Sequence, residues 1–350
     1  MGNNGYLKFI LTALVLAIVF FGYMLVTAVD RVRESNLRLL AKLDELPGRI
    51  SVTAPAAVPA QAAAIRREPF ANAEFFDPSA QTGRMIQATI ADTANMNYLI
   101  NTEATAGEFW NLCNSSLAGI NFEKPDEYEP QMAESWSISD DHKVYRIKLR
   151  KGIYWHDFTD PVTGKEHRNV EVTAEDFKFF VDVVKNPEVN CGPMRVYYQD
   201  LESVEILGRY EFEVRWSREY EGSRASTLGR SPLPRHLYHA YDGPFDGKKF
   251  NEDHIRNRMI VGCGPYQFVK WEKDRRVVFR RNPRYFGLRY GAGPSLDYLV
   301  YEIIKHPNTR FQALLSGELD QLGLSPDQWI QRADEKPFKD GTLKRYKYLL

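Results

Sequence analysis

The chain has 350 residues, with 46 lysines and arginines against 46 aspartates and glutamates, and 43% of its residues are hydrophobic. Length and apolar content exclude a disordered chain and leave room for about two domains of roughly 150 residues. A formal net charge of zero removes the global electrostatic case for a nucleic-acid or anionic-membrane partner, and three dispersed cysteines, Cys113, Cys191 and Cys263, exclude a disulfide scaffold or a CxxC metal knuckle.

The first predicted element is apolar. Phe9 to Val29 holds no charged residue, and its length matches a bilayer core of about 30 Å at a rise of about 1.5 Å per residue. Two readings stand for residues 1–29. One is an uncleaved transmembrane anchor, since the run is longer than the roughly 7–15 residues of a signal core; the other is a signal segment cleaved after the small residues Val26 and Ala28. No cysteine for lipid attachment lies near, the first being Cys113. Residues 30–47 continue as a stalk helix. From the end of the anchor onward, Val29, Val32, Asn36, Leu39, Leu43 and Leu46 recur at spacings of three and four, a pattern that fits either a single amphipathic helix or a self-associating coiled coil. Pro47-Gly48 stops the helix, residues 48–66 form an Ala/Pro linker, and the folded body starts at residue 67.

The body reads as mixed α and β. In residues 142–150, Tyr145, Ile147 and Leu149 alternate with Arg146, Lys148 and Arg150, which predicts a half-buried strand. Thr173 with Asp176 three residues later predicts a capping box, and Phe177, Phe180, Val181 and Val184 come after it at helical spacing. Residues 204–216 read as a hairpin with Gly208 at the first turn position, and residues 265–281 as a second hairpin. Residues 309–317 read as a short helix with Thr309 as N-cap and Gly317 just past its end.

Catalytic chemistry finds little support. His236 and His239 stand three apart with no third ligand, and packing against aromatic rings explains them better than metal does. His156 and Asp157 are adjacent, and adjacent strand residues point to opposite faces, which argues against a catalytic pair. Nucleotide, dinucleotide and acyl-transfer motifs are absent from the sequence. Residues 279–290 interleave Arg280, Arg281, Arg284 and Arg289 with aromatics, as a single-strand nucleic-acid surface would. The Asn282-Pro283 turn and the overall neutrality argue against that use, so no nucleic-acid partner is expected. Gly262 and Gly264 flank Cys263, which fits a tight turn into a strand better than a reactive thiol.

Seven segments, taken in order, carry a resemblance: residues 132–157, 172–180, 231–238, 261–271, 279–287, 296–304 and 309–324. Together they resemble the extracytoplasmic solute-binding proteins of peptide-type ABC importers, the oligopeptide and dipeptide binding proteins, from about Met85 to about Leu324. The resemblance implies an α/β (mixed α+β) two-lobed clamp that closes on a solute and presents it to a membrane permease. It also implies that the body works outside the cytoplasmic membrane, that there is no enzymatic activity, and that no cofactor or metal is needed. Residues 67–340 would form the first lobe with its subdomain, and 341–350 would begin the crossover to a second lobe. Thr93, Asn95, Met96 and Asn97 are expected to line the cleft, with Cys263, Gly264 and Tyr285 near cleft and hinge. A departure stands at Cys263, where the family's turn carries threonine. The second functional reading is a membrane-anchored sensor or scaffold domain that associates through its stalk.

Overall fold

The computed structural model describes residues 83–121, 124, 127–220, 222–238, 245–251, 255–332 and 334–346. The anchor or signal segment, the stalk, the linker and His239 lie outside the described residues. Among those described, no helix is long and apolar enough to cross a membrane.

The described residues are mixed α and β, arranged around two four-stranded sheets. The first sheet comprises β1 (Arg84–Thr89), β10 (Tyr266–Glu272), β11 (Arg276–Arg281) and β12 (Tyr298–Ile303), in the order β1-β12-β11-β10. β1 and β12 run parallel, from Arg84↔Tyr298 to Thr89↔Ile303, while β10, β11 and β12 are antiparallel neighbours. The other edge of β1 is also occupied. Gln87 forms a parallel bridge with Gln321, and the Asp320 N–H donates to the Ile86 carbonyl at 2.8 Å. β1 is therefore an inner strand with parallel neighbours on both sides. Helix α3 (Pro307–Leu315) connects those neighbours.

The second sheet is antiparallel throughout and is built from β4 (Ala133–Ile138), β5 (Val144–Leu149), β8 (Leu201–Gly208) and β9 (Glu211–Trp216), in the order β4-β5-β9-β8. The alternation expected in β5 is present, with Tyr145, Ile147 and Leu149 buried and Arg146 and Lys148 exposed. The two exposed cations reach Glu211 and Glu134 on neighbouring strands, at 2.7 and 2.9 Å. On β9, Phe212, Val214 and Trp216 take the same buried side. Helix α2 (Ala174–Lys185) lies against this layer, with Phe177 stacked on Phe212 at 5.2 Å between ring centroids. Its capping box forms as expected: Asp176 accepts from the Thr173 N–H at 2.8 Å. Two-stranded hairpins, β2 (Ala118–Ile120) with β3 (Tyr128–Pro130) and β6 (Phe158–Thr159) with β7 (Glu166–His167), flank the sheets.

Two local expectations are corrected. Helix α3 is capped at His306 rather than Thr309, because Pro307 suits the first helical position, where its missing N–H is not needed. Gly317 does sit just past the helix, with φ of +80°. In the β8–β9 hairpin Gly208 pairs with Glu211, so Arg209 and Tyr210 make the turn and the irregularity between Ile206 and Gly208 takes up the extra residue.

Candidate functional site

In open sheets with parallel strands, ligands bind in the crevice beyond the carboxyl ends, where connections leave in opposite directions. Here that edge is formed by the segments that leave β1, β12 and the Gln321 bridge: residues 90–103, 304–306 and 322–324. Ile90 is 60% exposed there.

Residues 93–103 hold their shape through local hydrogen bonds. Thr93 Oγ1 donates to the Glu103 carboxylate at 2.8 Å, the Ala94 N–H donates to it at 3.0 Å, and Asn101 Nδ2 donates to it at 3.1 Å. Burial works to raise the Glu103 carboxyl pKa, but these bonds outweigh it and hold it below the usual range. Asn95 Oδ1 accepts from the Asn97 N–H at 2.9 Å. Asn97 Nδ2 then reaches Asn257 Oδ1 at 3.0 Å, and the Met96 N–H donates to the Asn257 carbonyl at 2.8 Å. Asp92 ties the same segment to the β10–β11 hairpin, accepting from Trp271 Nε1 at 2.8 Å and from the Asp274 N–H at 2.6 Å.

The four expected residues of this segment therefore divide. Thr93, Met96 and Asn97 are buried, their side chains serving the protein interior, and Asn95 is half-buried. Exposed at the rim are Ile90, Ala91, Ala94, Thr102 and Glu103. Residue-by-residue reading of the sequence misses Ile90, Thr102 and the 322–324 stretch. Their signal was the pairing of the 84–89 and 298–303 runs, which defines where the strands end.

Cys263, Gly264 and Tyr285 meet elsewhere. Helix α1 (Ala104–Cys113) begins beside Glu103 and ends at Cys113, and the Gly264 N–H donates to the Cys113 carbonyl at 2.7 Å. Ten residues of helix, about 15 Å at 1.5 Å each, thus separate the two expected groups. At this far end a Cβ on Gly264 would lie 2.5 Å from the Asn114 carbonyl oxygen, and one on Gly262 would overlap the Cys113 carbonyl. The glycines admit protein backbone to protein backbone. Cys263 is buried with its thiol 3.9 Å from the Met132 sulfur, and burial pushes that thiol up to about 12. The Ser115 hydroxyl stands 3.4 Å from the Tyr285 hydroxyl, whose pKa burial also pushes up to about 12.

His156 completes the junction. Its Nδ1 accepts from the Gly262 N–H at 3.3 Å and its Nε2 faces the Gly264 carbonyl at 3.1 Å, a geometry that fixes a neutral ring with the proton on Nε2. Burial lowers its pKa to about 4. Asp157 turns away from His156 to Arg284 at 2.7 Å; the two residues lie in the irregular stretch just before β6 rather than in a strand, so no alternation applies, but they form no catalytic pair. His236 packs among Trp155, Phe158 and His167, with ring centroids between 5.4 and 5.7 Å. Among the described residues no cluster of three or more metal-ligating side chains occurs.

A family model described as bacterial extracellular solute-binding proteins, family 5, middle, matches residues 127–349. The oligopeptide-binding protein AppA of Bacillus subtilis is 26% identical over 247 residues, covering 69% of this chain and 40% of its own length. Di/tripeptide-binding protein 2 of Pseudomonas aeruginosa is 28% identical over 202 residues, covering 56% of this chain and 36% of its own. The solved structure of Bacillus subtilis AppA in complex with a nonapeptide matches with a TM-score of 0.61 at 21% identity, over 73% of this chain and 47% of that one, which shows the shared fold. NikZ from Campylobacter jejuni in complex with Ni(L-His) matches with a TM-score of 0.58 at 25% identity, over 73% and 46%. The chain spans less than half the length of these relatives, which are binding proteins rather than enzymes. With the family model matched over more than half of its length and its fold shared with solved binding proteins, the chain belongs to the bacterial extracellular solute-binding proteins of family 5.

Proposed function

We propose that the chain supplies the first lobe of a clamp that captures peptides outside the cytoplasmic membrane and delivers them to an ABC permease. The family match over residues 127–349 carries this reading. Relatives named for oligopeptides and di- or tripeptides support the choice of solute, and the general preference of ligands for the carboxyl ends of parallel strands supports its location beyond β1. On this reading the internally bonded 93–103 segment is a rigid wall. Its exposed backbone and the half-buried Asn95 meet the peptide, while Thr93, Met96 and Asn97 hold the wall in shape. Cys263, Gly264 and Tyr285 act from the far end of α1 as the seat of the helix. Residues 1–29 anchor the body, the 30–47 stalk gives it reach and a surface for self-association, and residues 341–350 lead toward the second lobe.

The test is equilibrium binding of a labelled tri- to pentapeptide mixture to the full chain, comparing the native protein with Asn95→Trp and Ala94→Trp. An indole at either position should weaken binding about tenfold or more by displacing solute from the wall, with little change in melting temperature. Native-like affinity in both variants removes the segment from the site. Sequencing the amino terminus of protein extracted from membranes tests the anchor, and a mature terminus at Val29 refutes it.

A further inference from the structure

Directly opposed residues in a sheet share a face. The pairings Gln267↔Arg280, Arg280↔Tyr298 and Tyr298↔Arg84 therefore set one row of side chains across β10, β11, β12 and β1. The row lies at the amino-terminal ends of β1 and β12, at the opposite end of the sheet from residues 90–103. A concavity of about 690 Å³ opens over it, lined also by Asp157, Phe158, Arg168, Arg281, Arg284 and Asp297. That volume falls among the roughly 300–1,000 Å³ of small-molecule sites.

Most of the cations in this concavity already have an anion. Arg284 pairs with Asp157 at 2.7 Å, Arg281 with Asp297 at 3.0 Å and Arg168 with Glu166 at 3.0 Å. Arg280 differs, for it has no carboxylate partner among the described residues. Its Nε donates to a neutral acceptor, Gln267 Oε1, at 2.9 Å. The acceptor is itself fixed: Gln267 Nε2 donates to Asn282 Oδ1 at 3.3 Å, and Asn282 Nδ2 donates to the Gly264 carbonyl at 2.9 Å. Gln267 is 7% and Asn282 3% exposed, so the relay is a buried one that ends at an exposed guanidinium. Ordering a long arginine side chain costs rotamer entropy. A carboxylate in the place of Gln267 would cancel the charge, whereas an amide orients the group, leaves its charge intact and leaves both terminal nitrogens, the pair that grips carboxylate or phosphate bidentately, without a described protein acceptor.

We infer that this concavity is an anion site centred on Arg280, taking a small ligand that carries a carboxylate or phosphate group. The concave shape favours a small ligand over a protein surface. Three of the four lining arginines face a carboxylate, so Arg280 supplies the uncompensated positive charge that an anionic group would meet, and Tyr298, 47% exposed, adds a hydroxyl donor at the rim. The inference is independent of the peptide reading, because it uses the other end of the sheet.

Isothermal titration of the full chain at low salt with citrate, and separately with inorganic pyrophosphate, tests it and separates the two anion chemistries. Saturable binding of at least one of them is expected. Arg280→Gln should weaken it about tenfold or more, and Arg280→Lys should bind between the two because it keeps the charge and loses the fork. Arg146→Gln, on the other sheet, should bind like the native chain. Arg280 is exposed, so melting temperatures of both Arg280 variants should match the native protein. Absence of binding by both anions, or native-like affinity in Arg280→Gln, overturns the inference. Peptide affinity should be unchanged in Arg280→Gln, so failure here is distinct from failure of the crevice.

Discussion

Asn97 and Asn257, 160 positions apart, bond side chain to side chain at 3.0 Å with both residues almost fully buried. Each amide also serves a second partner. Asn97 Oδ1 accepts from the Leu99 N–H at 3.1 Å, and Asn257 Nδ2 donates to the Phe250 carbonyl at 2.9 Å. Replacing Asn97 by the isosteric but apolar Leu leaves a buried N–H and a buried amide oxygen without these partners. The expected cost is about 2–4 kcal/mol in urea unfolding. A loss under about 0.5 kcal/mol would show that the 93–97 segment is held by other means.

Gly264→Ala places a methyl group against the backbone of Asn114, 2.5 Å from its oxygen and 2.6 Å from its nitrogen. Backbone cannot turn aside as a side-chain tip does, so β10 and the end of α1 must separate. Destabilisation of about 3 kcal/mol or more is expected by thermal unfolding. Gly208→Ala serves as the control, since a Cβ there meets nothing within 4 Å.

His156 makes the fold sensitive to acid. Its pKa falls from 6.5 to about 4 on folding, so between those values the unfolded chain binds a proton that the folded chain refuses, and stability drops as pH drops. His236, lowered by burial to about 3, acts in the same direction. Asp176, raised by burial to about 6, acts in the opposite direction below that pH. A His156→Gln variant keeps a side-chain amide donor for the Gly264 carbonyl and removes one titrating group. Its stability should lose about 1.4 kcal/mol less per pH unit than the native protein between pH 6.5 and 4.5. Parallel denaturation profiles for the two proteins would refute the neutral buried ring.

The Asp160–Arg256 pair is the most enclosed ion pair among the described residues, at 2.8 Å with side chains 1% and 2% exposed. Burial works to raise the Asp160 carboxyl pKa, but Arg256 and the N–H groups of Val162 and Thr163 hold it below the usual range. Asp160→Asn keeps the shape and removes the buried carboxylate charge that faces the Arg256 guanidinium at 2.8 Å. Unfolding free energy should fall by about 3–5 kcal/mol. A change near zero would mean that water reaches Arg256.

Much of the fold is legible where the signal is local. The alternation in β5, the Thr173 capping box, both hairpins and Gly317 each rest on neighbours within a few residues. The candidate site is less so. Thr93 and Asn97 read as polar groups for a ligand, but the same chemistry binds Glu103 and Asn257, and only the fold says which partner wins. Gly262 and Gly264 announce a close approach without naming its other party, which proves to be the end of α1. The arginine run at 280–284 shows its charge in sequence. Its pairing shows only in space, where Asp157 and Asp297 neutralise two members and Gln267 leaves the third charged.

The inner position of β1 also bears on how the protein is made. Its backbone partners are distant in the chain: the Gly83 N–H meets Asp297 across 214 positions, and the Ile86 N–H meets Asp320 across 234. A ribosome adding about 5–20 residues per second leaves this strand without either neighbour for roughly 10–50 s. Until then it is a strand with two open edges, and such high contact order slows folding and favours aggregation.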